Sequence, residues 1–160
     1  MKNYLFKLGG KAKKASIEIV KSKKKDKVLR DYCNLILKNH LKIISENKKD
    51  IEKAKKQKLK ENLIKRLSID KEKLLQIINS IKMIIKLKDP VNITLKKWKR
   101  SNGLKIKKVT TSIGVIAVIY ESRPNVTSDV ASLCFKSGNP VILKGGSEAY
   151  HSNKFFISLF

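Results

Sequence analysis

A lysine and two glycines beside a short apolar run give the clearest chemical signal in the chain. The segment comprises five residues: Lys144, Gly145, Gly146, Ser147 and Glu148. Glycines let backbone N–H groups approach a phosphate closely, and a helix that begins just after them adds partial positive charge. Lys144 can pair with a phosphate or hydrogen-bond a ribose hydroxyl. The spacing matches neither GxGxxG nor a P-loop, so a simple turn between strand and helix explains it equally well.

Asn125 is the second candidate for chemistry. It follows a longer apolar run, Ile113–Tyr120, through a turn that contains Arg123 and Pro124. A side-chain amide placed after a strand can donate a hydrogen bond to a developing oxyanion. An Asx turn or a helix cap accounts for the same residue without any catalysis, and the residues alone favour that alternative.

The two cysteines, Cys33 and Cys134, lie far apart and lack metal-ligand spacing, so the sequence predicts no metal site. Cys134 falls in the middle of a helical pattern with no His nearby. We interpret both as buried structural residues rather than nucleophiles. Without a disulfide framework or an apolar stretch of membrane-spanning length, the chain fits a reducing cytoplasmic setting.

A strand–helix–strand unit must position these residues. The run Ile113–Ile119 is apolar on both faces, which predicts a central parallel strand covered on both sides. A helix capped by Asn125 or Thr127 follows and ends at Gly138, and Val141–Leu143 predicts a second buried strand. Ligands in such sheets bind outside the carboxyl ends of the strands, where Lys144 lies.

The first 110 residues predict helices and a hairpin. Apolar spacing predicts an amphipathic helix over 3–21, a second that Asp26 caps and that runs through Ile44, a thinly packed exposed helix over 47–60, and a fourth that Asp70 caps. Period-two alternation over 91–110 predicts a Lys-rich antiparallel hairpin around Asn102-Gly103, a pair in which both residues tolerate positive φ.

The net charge of +25 is concentrated in one part of the chain. Residues 1–110 carry 34 Lys and Arg against 10 Asp and Glu, whereas residues 111–160 carry 4 against 3. Only four of the basic residues are Arg, the side chain favoured for phosphate and base contacts. The pattern favours a solvated lysine surface with no specific nucleic-acid partner. A basic nucleic-acid-binding or interaction protein without catalysis is the alternative.

The segment from Gly114 to Asn153 resembles the gamma-glutamyl phosphate reductase family, also called glutamate-5-semialdehyde dehydrogenases, of the aldehyde dehydrogenase superfamily. The motifs YESRPNVT and LKGGSEA are specific to this family, and DPV and NGLKIKKV upstream also match. The resemblance covers nearly the whole chain, as the N-terminal portion of the family. It implies NADPH-dependent reduction of L-glutamate 5-phosphate to L-glutamate 5-semialdehyde and phosphate in proline biosynthesis.

The resemblance also implies roles for individual residues. Asn125 would hold the oxyanion, and Lys144 would contact the adenosine ribose or the 2′-phosphate of NADP(H). Gly145, Gly146, Ser147 and Glu148 would continue that contact. Arg123 is a candidate for binding the anionic substrate, glutamyl phosphate.

The implied fold class is α/β, with N-terminal helices of the cofactor domain in 1–90 and an oligomerisation hairpin in 91–110. The start of a parallel, Rossmann-like βαβ unit occupies 111–160. Full-length members are expected to form homo-oligomers. The family's catalytic Cys belongs to a later segment, and neither Cys33 nor Cys134 matches its motif. We therefore expect a truncated chain that folds marginally and has no reductase activity of its own.

Overall fold

Five helices precede the first strand in this computed structural model, which describes residues 2–121 and 123–160. They are α1 (Lys2–Lys21), α2 (Lys25–Lys38), α3 (His40–Lys56), α4 (Glu61–Leu67) and α5 (Lys71–Lys86). The predicted α1 and the Asp70 cap of α5 are confirmed, since the Lys73 N–H donates to Asp70 Oδ1 at 2.7 Å. Within these residues no helix has both the length and the apolar content needed to cross a membrane.

The second half contains the hairpin and the strand–helix–strand unit. Its elements are β1 (Thr94–Lys99), β2 (Lys105–Val109), β3 (Ile116–Ile119), α6 (Pro124–Lys136), β4 (Val141–Lys144), a 3-10 turn (Ser147–Ala149) and α7 (Tyr150–Leu159). β1 and β2 pair antiparallel, and β3 and β4 pair parallel with Ile116 opposite Val141 and Ile119 opposite Lys144. The predicted α/β class, with helices, hairpin and parallel βαβ unit, is confirmed.

A large apolar cluster joins the helices to the βαβ unit. Tyr32 and Ile36 of α2, Ile43 of α3 and Ile81 of α5 are buried in it, and Phe156 of α7 is fully buried among them. The predicted apolar stripes of α2 and α5 therefore form the core. Because Phe156 belongs to the same cluster, the helix that follows the Lys144 loop is packed directly onto the N-terminal helices.

Several boundaries differ from the sequence prediction. The helix expected through Ile44 breaks at Asn39, so α2 and α3 are separate. Asp26 is not the cap of α2, which begins at Lys25. It pairs instead with Lys136 of α6, whose ammonium is almost fully buried and needs a counter-charge. This ion pair ties α6 to α2.

The predicted caps of α6 are also wrong. The helix begins at Pro124 with Arg123 as the N-cap residue, and no side chain caps it. Proline at the first helical position is compatible with that start because its missing N–H would have no intrahelical acceptor there. Asn125 and Thr127 therefore lie inside the first turn. Ser122, part of the predicted turn, lies outside the described residues. Gly138 ends the helix as predicted, at a φ of 75°.

The prediction that β3 is covered on both faces is wrong for the described chain. The strand begins at Ile116, and its side chains alternate between half-buried and exposed. Ala117 and Ile119 lie on the same face of the strand, and Ile119 is 83% exposed. One face of the parallel pair thus packs on the chain's own helices while Ile119 remains open.

The hairpin turn differs in detail from the predicted Asn-Gly pair. Only Gly103 has a positive φ, 86°, while Asn102 accepts the Leu104 N–H with its side-chain oxygen at 3.2 Å. The Arg100 N–H bonds to the Leu104 carbonyl at 2.9 Å, which closes a three-residue loop. A single left-handed glycine is sufficient for a loop of this length.

Asp50 fixes the start of α7. Its carboxylate is completely buried and accepts the N–H groups of His151 and Ser152 at 3.0 and 2.8 Å, and the Ser152 hydroxyl at 2.7 Å. The Asn47 amide donates to Ser152 Oγ at 3.0 Å and to the Leu67 carbonyl at 2.9 Å. The helix predicted to be thinly packed thus buries two polar side chains that satisfy the first turn of α7.

We expect Asp50→Ala to destabilise the fold by about 3 kcal/mol, because it leaves the buried N–H and hydroxyl of Ser152 and the part-buried N–H of His151 without their acceptor. Asp31→Ala removes an exposed carboxylate of α2 and is the matched control, with an expected change below about 0.5 kcal/mol. Urea unfolding followed by circular dichroism measures both. Equal effects of the two substitutions would show that Asp50 does not anchor α7.

Candidate functional site

The Lys144 loop lies at the carboxyl end of the parallel strand pair. Lys144 is the last residue of β4, and its carbonyl accepts the Tyr120 N–H from the end of β3 at 3.1 Å. Gly145 and Gly146 follow, and the 3-10 turn then leads into α7. The loop is therefore held on one side by the sheet and on the other by a helix whose first turn Asp50 caps. This position is where open α/β sheets bind ligands.

Gly145 is required by close packing. A Cβ at this position would lie 2.3 Å from Asn153 Nδ2 and 3.1 Å from the Tyr120 ring and its hydroxyl oxygen. No side chain fits there without displacing Asn153 or the loop. The glycine therefore lets the loop lie directly against these two polar side chains.

A chain of hydrogen bonds fixes those two side chains. The Thr127 hydroxyl donates to Asn153 Oδ1 at 2.7 Å, which leaves it to accept the Tyr120 hydroxyl at 2.6 Å. Thr127 is fully buried, and burial raises the pKa of Tyr120 even though the bond to Thr127 acts to lower it. Three elements, the end of β3, α6 and α7, are thus joined directly behind Gly145.

A groove of about 430 Å³ opens in front of this loop. The end of the sheet and the loop contribute Tyr120, Leu143, Lys144, Gly145 and Gly146 to its lining. The helices contribute Tyr4 from α1 and Tyr150, Asn153, Lys154 and Ile157 from α7. Lys154 Nζ lies 5.8 Å from the centroid of the Tyr150 ring. The described lining contains two lysines and no acidic residue, so the groove suits an anionic ligand with an apolar or aromatic part.

Of the five residues predicted to bind a cofactor, three line this groove together: Lys144, Gly145 and Gly146. Ser147 and Glu148 form the 3-10 turn that follows and are not among its described lining residues. The sequence pattern did not predict Asn153 and Tyr120 as site residues, although both lie in the segment from Gly114 to Asn153. Their polar side chains, on either side of the two glycines in the sequence, could have indicated such a role.

A second groove, of about 440 Å³, contains the predicted Asn125 and Arg123. Residues from α4 and α5 complete it: Arg66, Lys73, Gln76, Ile77 and Ser80. The Asn125 amide donates to Asp129 Oδ2 at 3.5 Å, one helical turn later on α6. Arg66 was not predicted, because its contribution depends on how α4 and α5 pack against α6.

Asp129 also lines this second groove. Its Oδ1 atom is buried and has no hydrogen-bond partner among the described residues. Burial raises the pKa of the Asp129 carboxyl, and hydrogen bonds to Ser80 and Asn125 offset part of that rise. The carboxyl is therefore a positioned partner for the Asn125 amide.

Helix α6 separates the two grooves. Asn125 and Asp129 are four residues apart and share one face of the helix, whereas Thr127 lies between them on the other face. The first pair lines the second groove, and Thr127 bonds to the residues behind Gly145. One helical turn therefore places an amide on one side and the support of the Lys144 loop on the other.

Neither cysteine is arranged for nucleophilic chemistry. Cys33 and Cys134 are both buried, and burial raises the pKa of each thiol. A reactive thiol needs the opposite, a lowered pKa and access to substrate. The interpretation of both as structural residues agrees with their burial.

Comparison with known proteins shows a similarity along nearly the whole chain. The chain matches no protein-family model. It is 48% identical over 146 residues to the gamma-glutamyl phosphate reductase of Nitratiruptor, which is 90% of this chain and 35% of that protein. The crystal structure of gamma-glutamyl phosphate reductase from Thermotoga maritima superposes with a TM-score of 0.94 at 35% identity, over 97% of this chain and 38% of that one.

An aldehyde dehydrogenase structure from Bacillus subtilis superposes with a TM-score of 0.70 at 17% identity, over 98% of this chain and 33% of that one, which shows a shared fold alone. The chain thus spans little more than a third of the length of its relatives. Over nearly its whole length the chain is similar to the N-terminal part of the gamma-glutamyl phosphate reductases, and the resemblance predicted from its sequence is confirmed.

Proposed function

We propose that this chain forms the cofactor-holding part of an NADP(H)-dependent oxidoreductase that reduces L-glutamate 5-phosphate to L-glutamate 5-semialdehyde and phosphate in proline biosynthesis. The observation that carries the proposal is the Lys144-Gly145-Gly146 loop, fixed at the carboxyl end of a parallel strand pair beside a lysine-lined groove. A relative at 48% identity bears the name of that reductase.

The groove's chemistry fits NADP(H) better than NAD(H). Sites for NAD commonly place an acidic side chain on the ribose 2′-hydroxyl, whereas sites for NADP place a cation on the 2′-phosphate. Lys144 and Lys154 line the groove, and its described lining has no carboxylate. When bound, the cofactor supplies the hydride. The chain's own contribution is to hold the adenosine end with Lys144 and the glycine loop.

Asn125 would stabilise negative charge on the substrate. An amide nitrogen carries two hydrogens, so the contact with Asp129 leaves one for an oxyanion. The proposal assigns the nucleophile to no residue of this chain, since both thiols are buried with raised pKa values. The exposed β1–β2 hairpin is assigned to contacts between copies in a cytoplasmic homo-oligomer.

A basic nucleic-acid-binding or interaction protein is the second candidate, and one observation favours it. Six lysines of the hairpin are exposed on its two strands: Lys96, Lys97, Lys99, Lys105, Lys107 and Lys108. Such a surface binds polyanions in a salt-dependent way without needing the groove. The two candidates therefore differ in which lysines they require.

We expect NADP+ to bind the chain more tightly than NAD+ in isothermal titration calorimetry. Lys144→Met should weaken NADP+ binding about tenfold, equivalent to about 1.4 kcal/mol, by removing a charge-assisted contact with the ribose or its phosphate. Lys97→Met makes the same change in net charge on the hairpin and should leave the affinity unchanged. Equal losses in both variants, or RNA binding that disappears with salt in a chain that binds no NADP+, would favour the basic binding protein.

We expect Gly145→Ala to weaken NADP+ binding at least tenfold, because the new methyl group must displace the Asn153 amide or the loop. Gly10→Ala is the control, since a Cβ there meets nothing within 4 Å. Calorimetry with NADP+ and a thermal unfolding curve separate binding from stability. Unchanged affinity in Gly145→Ala would show that the loop does not contact the cofactor.

A further inference from the structure

The second groove, which Asn125 lines, contains more positive charge than an oxyanion donor needs. Arg66, Lys73 and Arg123 line it, against a single carboxylate, that of Asp129. Arg66 and Arg123 are two of the four arginines in the whole sequence. Neither guanidinium forms an ion pair with an acidic side chain in residues 2–121 and 123–160. Two guanidinium groups are therefore free to bind a ligand at one groove.

The backbone around Arg66 is held firmly. Arg66 lies in the last turn of α4, where helix carbonyls lack intrahelical partners. Lys73 donates to the carbonyls of Lys65 at 2.8 Å and Ser68 at 2.6 Å, and the Asn47 amide binds the Leu67 carbonyl at 2.9 Å. Lys73 is thus a positioning residue for Arg66, and its charge also contributes to the groove.

We propose that Arg66 and Arg123 together form a subsite for a tetrahedral phosphate, the acyl phosphate group of the substrate. This inference rests on the proposed function. If Asn125 binds the developing oxyanion, the acyl carbon lies beside it, and the phosphate is attached to that carbon through one oxygen. The phosphate must then lie close to Asn125, where Arg123 and Arg66 are. Guanidinium groups bind phosphate oxygens in a bidentate manner, which suits this role.

Asp129 does not cancel the positive charge at this place. Its Oδ2 atom accepts the Asn125 amide at 3.5 Å, and its Oδ1 atom is buried away from solvent. Burial also raises the pKa of this carboxyl. One carboxylate against three cations leaves an excess of positive charge in the groove for an incoming phosphate.

The test is an NMR titration of the four arginine Nε–H signals with inorganic phosphate, at constant ionic strength set by chloride. We expect the Arg66 and Arg123 signals to move together along one binding curve while Arg30 and Arg100 stay in place. Arg66→Gln should weaken the phosphate affinity measured from the Arg123 signal about tenfold. Arg123→Gln should weaken the affinity measured from the Arg66 signal by a similar factor. Arg100→Gln, which makes the same change in charge on the hairpin, should have no effect.

Parallel movement of all four signals, or none, would overturn the subsite. Saturating NADP+ separates this inference from the proposed function. Amide shifts at Gly145 and Gly146 with unmoved Arg66 and Arg123 support a cofactor groove distinct from the phosphate subsite. NADP+ shifts at Arg66 and Arg123 instead would overturn the assignment to substrate phosphate. Phosphate binding in a chain that does not bind NADP+ would support the subsite while removing the proposed function.

Discussion

The buried carboxylate of Asp50 is the constraint on which the site depends. A fully buried carboxylate is costly unless hydrogen bonds satisfy its oxygens, and three donors at the start of α7 do so. If α3 and α7 separated, the Asp50 carboxylate and these donors would lose their hydrogen-bond partners, so the two helices stay packed together. This packing determines where Asn153 of α7 lies, and Asn153 in turn packs against Gly145. The Lys-Gly-Gly loop is thus shaped by an acidic residue on a distant helix.

Helix α6 connects the two grooves structurally. Thr127 connects Asn153 to Tyr120, so the loop, the strand end and α6 share one hydrogen-bond chain. The opposite face of the same helical turn presents Asn125 and Asp129 to Arg66. Under the proposed function, a hydride donor in one groove and an acyl group in the other would therefore be held in a fixed relation by a single turn of helix.

Local signals in the sequence predicted the scaffold well. Asp70 caps α5 and Gly138 ends α6 because each feature depends on residues only a few positions away. The glycines after β4 identified the first groove for the same reason. The sequence pattern predicted an exposed helix around Asn47 and Asp50, because their hydrogen-bond partners on α7 lie 101 to 105 residues further along the chain. Both lie on the same helical stripe as Ile43 and Ala54. Polar residues at such core positions could have indicated that they are buried and hydrogen-bonded.

The second groove shows the same limit. Arg123 and Asn125 were singled out by their motif, but Arg66 belongs to α4 and meets them only after α4 and α5 pack against α6. The caps predicted for α6 failed because Pro124 can begin a helix without a side-chain cap, which freed Thr127 to become fully buried and bonded elsewhere. Where long-range packing decides the role of a side chain, the spacing of residues along the chain does not predict that role.

The central claim is that α7 and its hydrogen bonds form the groove proposed for the cofactor before any ligand binds. Amide hydrogen exchange of the chain, with and without NADP+, measures this most directly. The account predicts that the Ser152 amide exchanges slowly without ligand, and that NADP+ slows exchange at Gly145 and Gly146 while leaving Ser152 unchanged. Exchange of Ser152 at the rate of an unfolded chain, or protection by NADP+ that falls on the hairpin instead of the glycines, would contradict it.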